Sequence, residues 1–196
     1  MATATDRRRQ ILDAAIRVFA DQGFHTCRVS DIADAAGVAY GLVYHYFTSK
    51  EQILDTLFLE RWDVMLDAIA EADASDLRAR TKLATVAAFI LESYGHDPAL
   101  MKVIIVEVTR AANSFGRTHR EKIEQAFAGV ASIVDAGRRA GEFRSGIDPT
   151  LAAQAFFGLV EQVLTTWIFA GEPRPAAEIN RAKREIVEII CGGLEA

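Results

Sequence analysis

Three phenols and an imidazole stand close together in the run Tyr40-Gly41-Leu42-Val43-Tyr44-His45-Tyr46-Phe47. At 100° per residue, a helix through this run divides it into two faces. Val43, Phe47, Leu42 and Tyr46 fall on one side; Tyr40, Gly41, Tyr44 and His45 fall on the other. The second set makes a poor core, but its phenols and imidazole donate hydrogen bonds and Gly41 permits close approach to the backbone. Such a face suits phosphate oxygens and base edges.

That face needs a rigid support, and the stretch from Arg28 to Lys50, RVSDIADAAGVAYGLVYHYFTSK, supplies one. Ile32, Ala33 and Ala36 carry a first short helix, and Gly37 stops it because glycine readily takes the left-handed conformation. After Ala39, at the cap position, a second helix covers about Tyr40 to Phe47. The spacing predicts a helix-turn-helix whose second helix is the reading element.

Upstream, Thr5 or Asp6 can cap a helix through Ile11, Ala15, Val18 and Phe19 that ends at Gly23. Arg7, Arg8 and Arg9 open it, either as a solvated terminus or against a DNA backbone. Downstream, Ser49 caps a fourth helix, with Gln52 placed as in a capping box. Lys50 in its first turn opposes the helix dipole, which points to a phosphate there. Leu54, Phe58, Trp62, Met65 and Ile69 extend this helix well past the small domain.

The chain has 196 residues, 51% apolar and 25% charged, enough to bury a substantial core. Its net charge of −5 argues against a nucleic-acid partner by bulk electrostatics. Even the first 56 residues hold six basic side chains against seven acidic ones, so only the placement of charge supports such a partner. Cys27 and Cys191 form no CxxC and sit in no His/Cys cluster, so neither a disulfide framework nor a zinc site is expected. No apolar run is read as a membrane span, no signal segment opens the chain, and a cytoplasmic protein is expected.

The remainder reads as helices alone. EADASD is a polar break before a fifth helix with Leu83, Val86, Ala87, Ile90 and Leu91 as its apolar row. Asp97-Pro98 starts a sixth, KVIIVEVTRAA, apolar on most sides and therefore expected to be central. Ser114 can cap a seventh, through Ile123, Phe127, Val130, Ile133 and Val134, that ends near Gly141. Asp148-Pro149 starts an eighth that Gly171 stops. A ninth, with Ile179, Ile186, Ile189 and Ile190, ends at Gly192-Gly193. The eighth is apolar nearly all round and must be covered on two faces: one on its own core, the other against a second copy, with Gly158 letting backbones approach.

The residues GFHTCRVSDIADAAGVAYGLVYHYFTSKEQIL resemble the DNA-binding domain of the tetracycline-repressor (TetR) family over roughly residues 7 to 58. G-[FY], V-x-x-I-A, A-G-V, G-x-x-Y-x-[YH]-F and S-K-E all occur in order and spacing. The resemblance implies an all-α protein of about nine helices. An N-terminal three-helix helix-turn-helix domain (1–50) would be followed by a C-terminal helical ligand-binding and dimerisation domain (51–196), the fourth helix linking the two. It implies a transcriptional regulator, most simply a repressor, that binds a palindromic double-stranded DNA operator as a homodimer through its last two helices. Arg28, Ala39, Tyr40, Gly41, Tyr44, His45 and Lys50 are the expected DNA-binding positions. Arg28 and Ala39 depart from the family's Thr or Ser caps, and the loss of a good cap costs about 1 kcal/mol.

The resemblance also implies a small-molecule effector in the C-terminal half. Phe89, Tyr94, Met101, Ile105, Phe127, Phe157 and Trp167 either pack as core or line its pocket. Arg110 either pairs with Glu107 three residues earlier or supplies a polar anchor. Glu161, alone among apolar neighbours, is an interface group or a ligand-orienting one. The segment VEQVLTTWIFAG resembles those of fatty-acid regulators of the family, which suggests a hydrophobic, fatty-acyl-type effector. No catalytic residues, cofactor or metal are expected, because Gly-rich phosphate loops, G-x-S-x-G and H-E-x-x-H are all missing and the four histidines are dispersed. An alternative is a redox sensor at Cys27, beside Arg28.

Overall fold

The structure is a computed structural model that describes residues 4–108 and 117–194. These residues form helices and connecting turns with no β-strand among them. In chain order the helices are α1 (Ala4–Gln22), α2 (Val29–Ala36), α3 (Tyr40–Tyr46), α4 (Lys50–Ala74), α5 (Ala79–His96), α6 (Pro98–Lys102, continued as a π-helical turn over Val103–Val108), α7 (Arg117–Arg139), α8 (Pro149–Ala170) and α9 (Ala176–Leu194). They divide into two compact units, residues 4–61 with 99–108, and residues 62–98 with 117–194.

The first unit closes around Ile11, Leu12, Phe19, Ile32, Val43, Phe47, Ile53 and Leu57, all buried. Each large side chain so buried is worth about 1.5–3 kcal/mol relative to exposure, which offsets the weak propensity of helices as short as α2 and α3. Val103, fully buried, joins the same core, and Ala99 and Leu100 pack against it. The sixth helical segment therefore belongs with α1 to α3, although its sequence position lies deep in the second half. Lys102 Nζ ties it there by donating to the Ala20 carbonyl at 2.6 Å, near the cation-favouring end of α1.

α1 already includes Thr5 and Asp6, so neither caps it; Asp6 instead puts a negative charge in the first turn, where the dipole favours one. α9 runs through Gly192-Gly193 to Leu194 rather than ending before them. Its last carbonyls are satisfied by Arg144, whose backbone N–H donates to Leu194 O at 2.8 Å and whose guanidinium donates to Gly193 O.

In the second unit α5 is the shared element, packing against α7, α8 and α9. Its start is capped from a distance. Arg78 offers no side-chain cap, and Glu142 accepts the Ala79 N–H at 2.9 Å. α7 approaches so closely here that a Cβ on Gly137 would lie 2.6 Å from Ala79 Cβ and 2.7 Å from the Phe143 ring.

α8 starts as its Asp148-Pro149 signal requires, Asp148 Oδ1 accepting the Leu151 N–H at 2.8 Å. Ala152, Ala153, Phe156, Val160, Leu164 and Trp167 are its buried row. Leu151 (64% exposed) and Phe169 (72%) lie off that row, and Ile189 of α9 is 63% exposed. Contrary to the sequence expectation, α8 is long and apolar enough, by length and composition alone, to cross a membrane. Its buried row packed against α7 gives it the character of a core helix with one face left over.

Candidate nucleic-acid interface

α2 begins without the hydroxyl cap, and Arg28, having no acceptor atom, forms no side-chain cap. Asp31 compensates: its Oδ2 accepts the Arg28 N–H at 2.7 Å, the returning half of a capping box. Gly37, at φ 61° and ψ 39°, ends α2 in the left-handed region. Gly37 N–H donates to Asp34 O at 3.1 Å and Val38 N–H to Ala33 O at 3.0 Å, which is the Schellman pattern. Two side chains of α1 serve the same end of α2. Gln10 Nε2 donates to Ala36 O at 2.5 Å, and Arg17 to Ala35 O at 3.4 Å. Nothing local in the sequence marks these two.

α3 has no side-chain cap at Ala39 and is held by packing: Val43 and Phe47 are buried, Leu42 and Tyr46 half-buried. Tyr40, Gly41, Tyr44 and His45 are all exposed, as the helical periodicity requires. The Tyr40 and Tyr44 hydroxyls share a hydrogen bond, Oη to Oη 3.2 Å, and their rings meet edge to face with centroids 5.1 Å apart. This hydrogen bond, then burial and the nearby charges, holds the Tyr44 pKa above the usual phenol value, so Tyr44 keeps its proton at neutral pH.

The cations are arranged differently from expectation. Lys50 Nζ donates to Phe24 O (2.7 Å), Cys27 O (3.0 Å) and His25 O (3.3 Å), occupying all three of its N–H groups on the turn after α1. Arg8 pairs with Glu60 at 2.8 Å and lies over the Phe47 ring. Arg9 pairs with Asp13 at 2.8 Å, and Arg7 donates to Gln10 Oε1 at 2.8 Å. The arginine cluster thus buttresses the first unit. Arg28 stays exposed at the start of α2. At the next helix, Gln52 N–H donates to Ser49 Oγ at 3.2 Å as expected, but Gln52 Oε1 accepts from Thr48 N–H (2.5 Å) rather than from Ser49.

The expected effector residues are dispersed. In the second unit Tyr94 and Trp167 are buried, ring centroids 5.4 Å apart. Phe127 and Phe157 are half-buried and meet edge to face at 4.8 Å. Phe89 is half-buried on α5. Met101 and Ile105 belong to the first unit, Met101 buried and Ile105 half-buried. Glu161 is exposed on α8, next to buried Val160 but turned 100° from it, so it does not reach the interior of its unit. Arg110 and Ser114 lie outside the described residues, as does the pairing of Glu107 with Arg110. Cys27 is buried, its thiol donating to Phe24 O at 3.3 Å, a packing environment that shields it from oxidants.

A left-handed glycine between two short helices, the second buried on one face and bearing phenols and imidazole on the other, defines a helix-turn-helix DNA-binding protein with a separate helical unit. The family described as bacterial regulatory proteins, tetR family, matches residues 11–57, and the YsiA-like protein C-terminal region matches residues 58–192. The chain belongs to the TetR family of transcriptional regulators. It is 31% identical over 189 residues to the fatty acid metabolism regulator protein of Bacillus subtilis (strain 168), covering 94% of each chain. It is 30% identical over 194 residues to the HTH-type transcriptional repressor KstR2 of Rhodococcus jostii (strain RHA1), covering 96% of this chain and 91% of that one. Among solved structures, the transcriptional regulator FadR from Bacillus subtilis in complex with stearoyl-CoA superposes with a TM-score of 0.83 at 30% identity, over 94% of this chain and 98% of that one.

Proposed function

We propose that the protein is a cytoplasmic repressor that binds an inverted-repeat DNA operator as a homodimer and releases it when a long-chain fatty-acyl thioester binds its helical second unit. The observation that carries the DNA reading is the exposed Tyr40, Gly41, Tyr44 and His45 face, held outward by buried Val43 and Phe47. Arg28 adds a phosphate contact at the start of α2. Lys50 acts from behind, holding the turn that precedes α2.

Dimerisation is supported by the uncovered apolar side chains of α8 and α9, Leu151, Phe169 and Ile189. Two reading helices then enter successive major grooves about 34 to 36 Å apart. The effector class is supported by the fatty acid metabolism regulator at 31% identity and by the stearoyl-CoA that the related FadR holds. Aromatic side chains of the second unit, Phe89, Tyr94, Phe127, Phe157 and Trp167, suit an acyl chain. A ligand that favours a state with weaker hold on the operator shifts DNA affinity by its differential binding.

The test is a titration of the operator complex with stearoyl-CoA, using free CoA as control. Release by the thioester alone is the expected result. Phe157→Trp should shift the midpoint of that release while leaving ligand-free operator affinity unchanged. Equal change in both quantities would place this residue outside the effector site.

A further inference from the structure

The hydrogen bond between Tyr40 and Tyr44 carries more than rigidity. Each phenol has one proton to donate. At an Oη–Oη distance of 3.2 Å, one of the two protons lies between the oxygens, so the pair faces outward with a single donor. Both residues are exposed, one helical turn apart, and their edge-to-face rings limit independent rotation. Tyr40 is the first residue of α3 and Tyr44 the fifth. Reading helices place their N-terminal residues at base edges, which puts Tyr40 deeper in the groove and Tyr44 a turn back, towards the phosphates. A phosphate only accepts hydrogen bonds, so Tyr44 must turn its proton outward to meet one. Its oxygen is then free to accept from Tyr40.

We propose that the two phenols act as a proton-ordered relay, in which Tyr44 donates to the DNA backbone, Tyr40 donates to Tyr44, and Tyr40 consequently meets the major groove as an acceptor only. An acceptor there selects an exocyclic amino group, the N6 of adenine or the N4 of cytosine, against the O4 of thymine and the O6 of guanine. Tyr44 is the positioning residue: it contacts no base and yet decides which base Tyr40 accepts. The inference rests on the DNA-binding reading above.

The experiment is selection from a library of inverted-repeat duplexes with randomised half-sites, using the full-length protein and the variants Tyr40→Phe and Tyr44→Phe. Both keep the ring, and at exposed positions both should melt with the wild type. Each is expected to lower affinity for the preferred duplex by about 3- to 10-fold, the worth of one hydrogen bond. The wild type should enrich adenine or cytosine at one base of each half-site, and Tyr40→Phe should lose that preference. In Tyr44→Phe the Tyr40 proton is released, and the preference at the same base should move to guanine or thymine. A Tyr44→Phe protein that binds all sequences more weakly with its preference unaltered overturns the relay and leaves the DNA-binding reading standing. So does a wild type that already prefers guanine or thymine at the base Tyr40→Phe affects. A wild type that enriches no inverted repeat overturns both.

Discussion

The Lys50 ammonium lies 2.7 Å from the Phe24 carbonyl oxygen and 4.8 Å from the centroid of the Phe24 ring, so one cation closes the turn that leads from α1 into α2. Charge-assisted hydrogen bonds of this kind are worth about 1.5–3 kcal/mol. Lys50→Met, which keeps the aliphatic stem, should lower stability by about 2 kcal/mol and leave the salt dependence of DNA binding as in the wild type. Urea denaturation and binding titrations across salt concentration check the two halves. A variant of unchanged stability whose salt slope falls would put the ammonium on phosphate.

Arg28 and Asp31 separate by function although they meet at one cap. Arg28→Ala should weaken all duplexes alike and reduce the log–log salt slope by about 0.9 for each half-site, with little loss of stability. Asp31→Ala removes the acceptor of the Arg28 N–H and should cost about 1 kcal/mol of stability. Identical effects of the two substitutions on the salt slope would refute this division.

Ala39 leaves the start of α3 uncapped at φ −62° and ψ 139°, a geometry that a serine cap adopts without strain. Ala39→Ser should therefore stabilise the protein by about 1 kcal/mol, or about 2 to 4 °C in melting temperature for a chain of this size. A melting temperature at or below that of the wild type would show that packing of Val43 and Phe47 already holds the helix start.

Tyr94 titrates above the ordinary phenol value because burial disfavours its charged form. The folded protein holds this proton more tightly than the unfolded chain. The stability it contributes is complete below the unfolded-state value of about 10 and is lost as pH rises through the folded one. Tyr94→Phe should abolish that alkaline loss, so wild-type and variant denaturation midpoints should diverge between neutral pH and pH about 11. Parallel pH profiles would mean that the hydroxyl is solvated in the folded state.

The reading helix shows how far local pattern reaches. Its two faces, the glycine before it and the Ser49 cap after it were all legible, because each depends on neighbours within one or two helical turns. So were the Asp148-Pro149 start of α8 and the uncovered apolar side of that helix. The deployment of the cations was not. Arg8, Arg9 and Lys50 look alike along the chain, and whether a charge faces solvent or a carbonyl depends on residues that folding brings to it, such as Glu60 for Arg8 and the Phe24 turn for Lys50.

The sequence by itself determined that the chain is helical, that it carries a two-helix reading head with phenols and an imidazole outward, and that α8 has more apolar surface than one core can cover. Those properties follow from period, capping and turn residues, which act over a few positions. Only the tertiary structure decided that Val103 completes the core of the first unit, that Glu142 caps α5, and that Arg144 lets α9 run through two glycines. In each case a backbone or apolar group finds its partner across tens of residues, and no local pattern encodes a contact whose geometry exists only after the helices have packed.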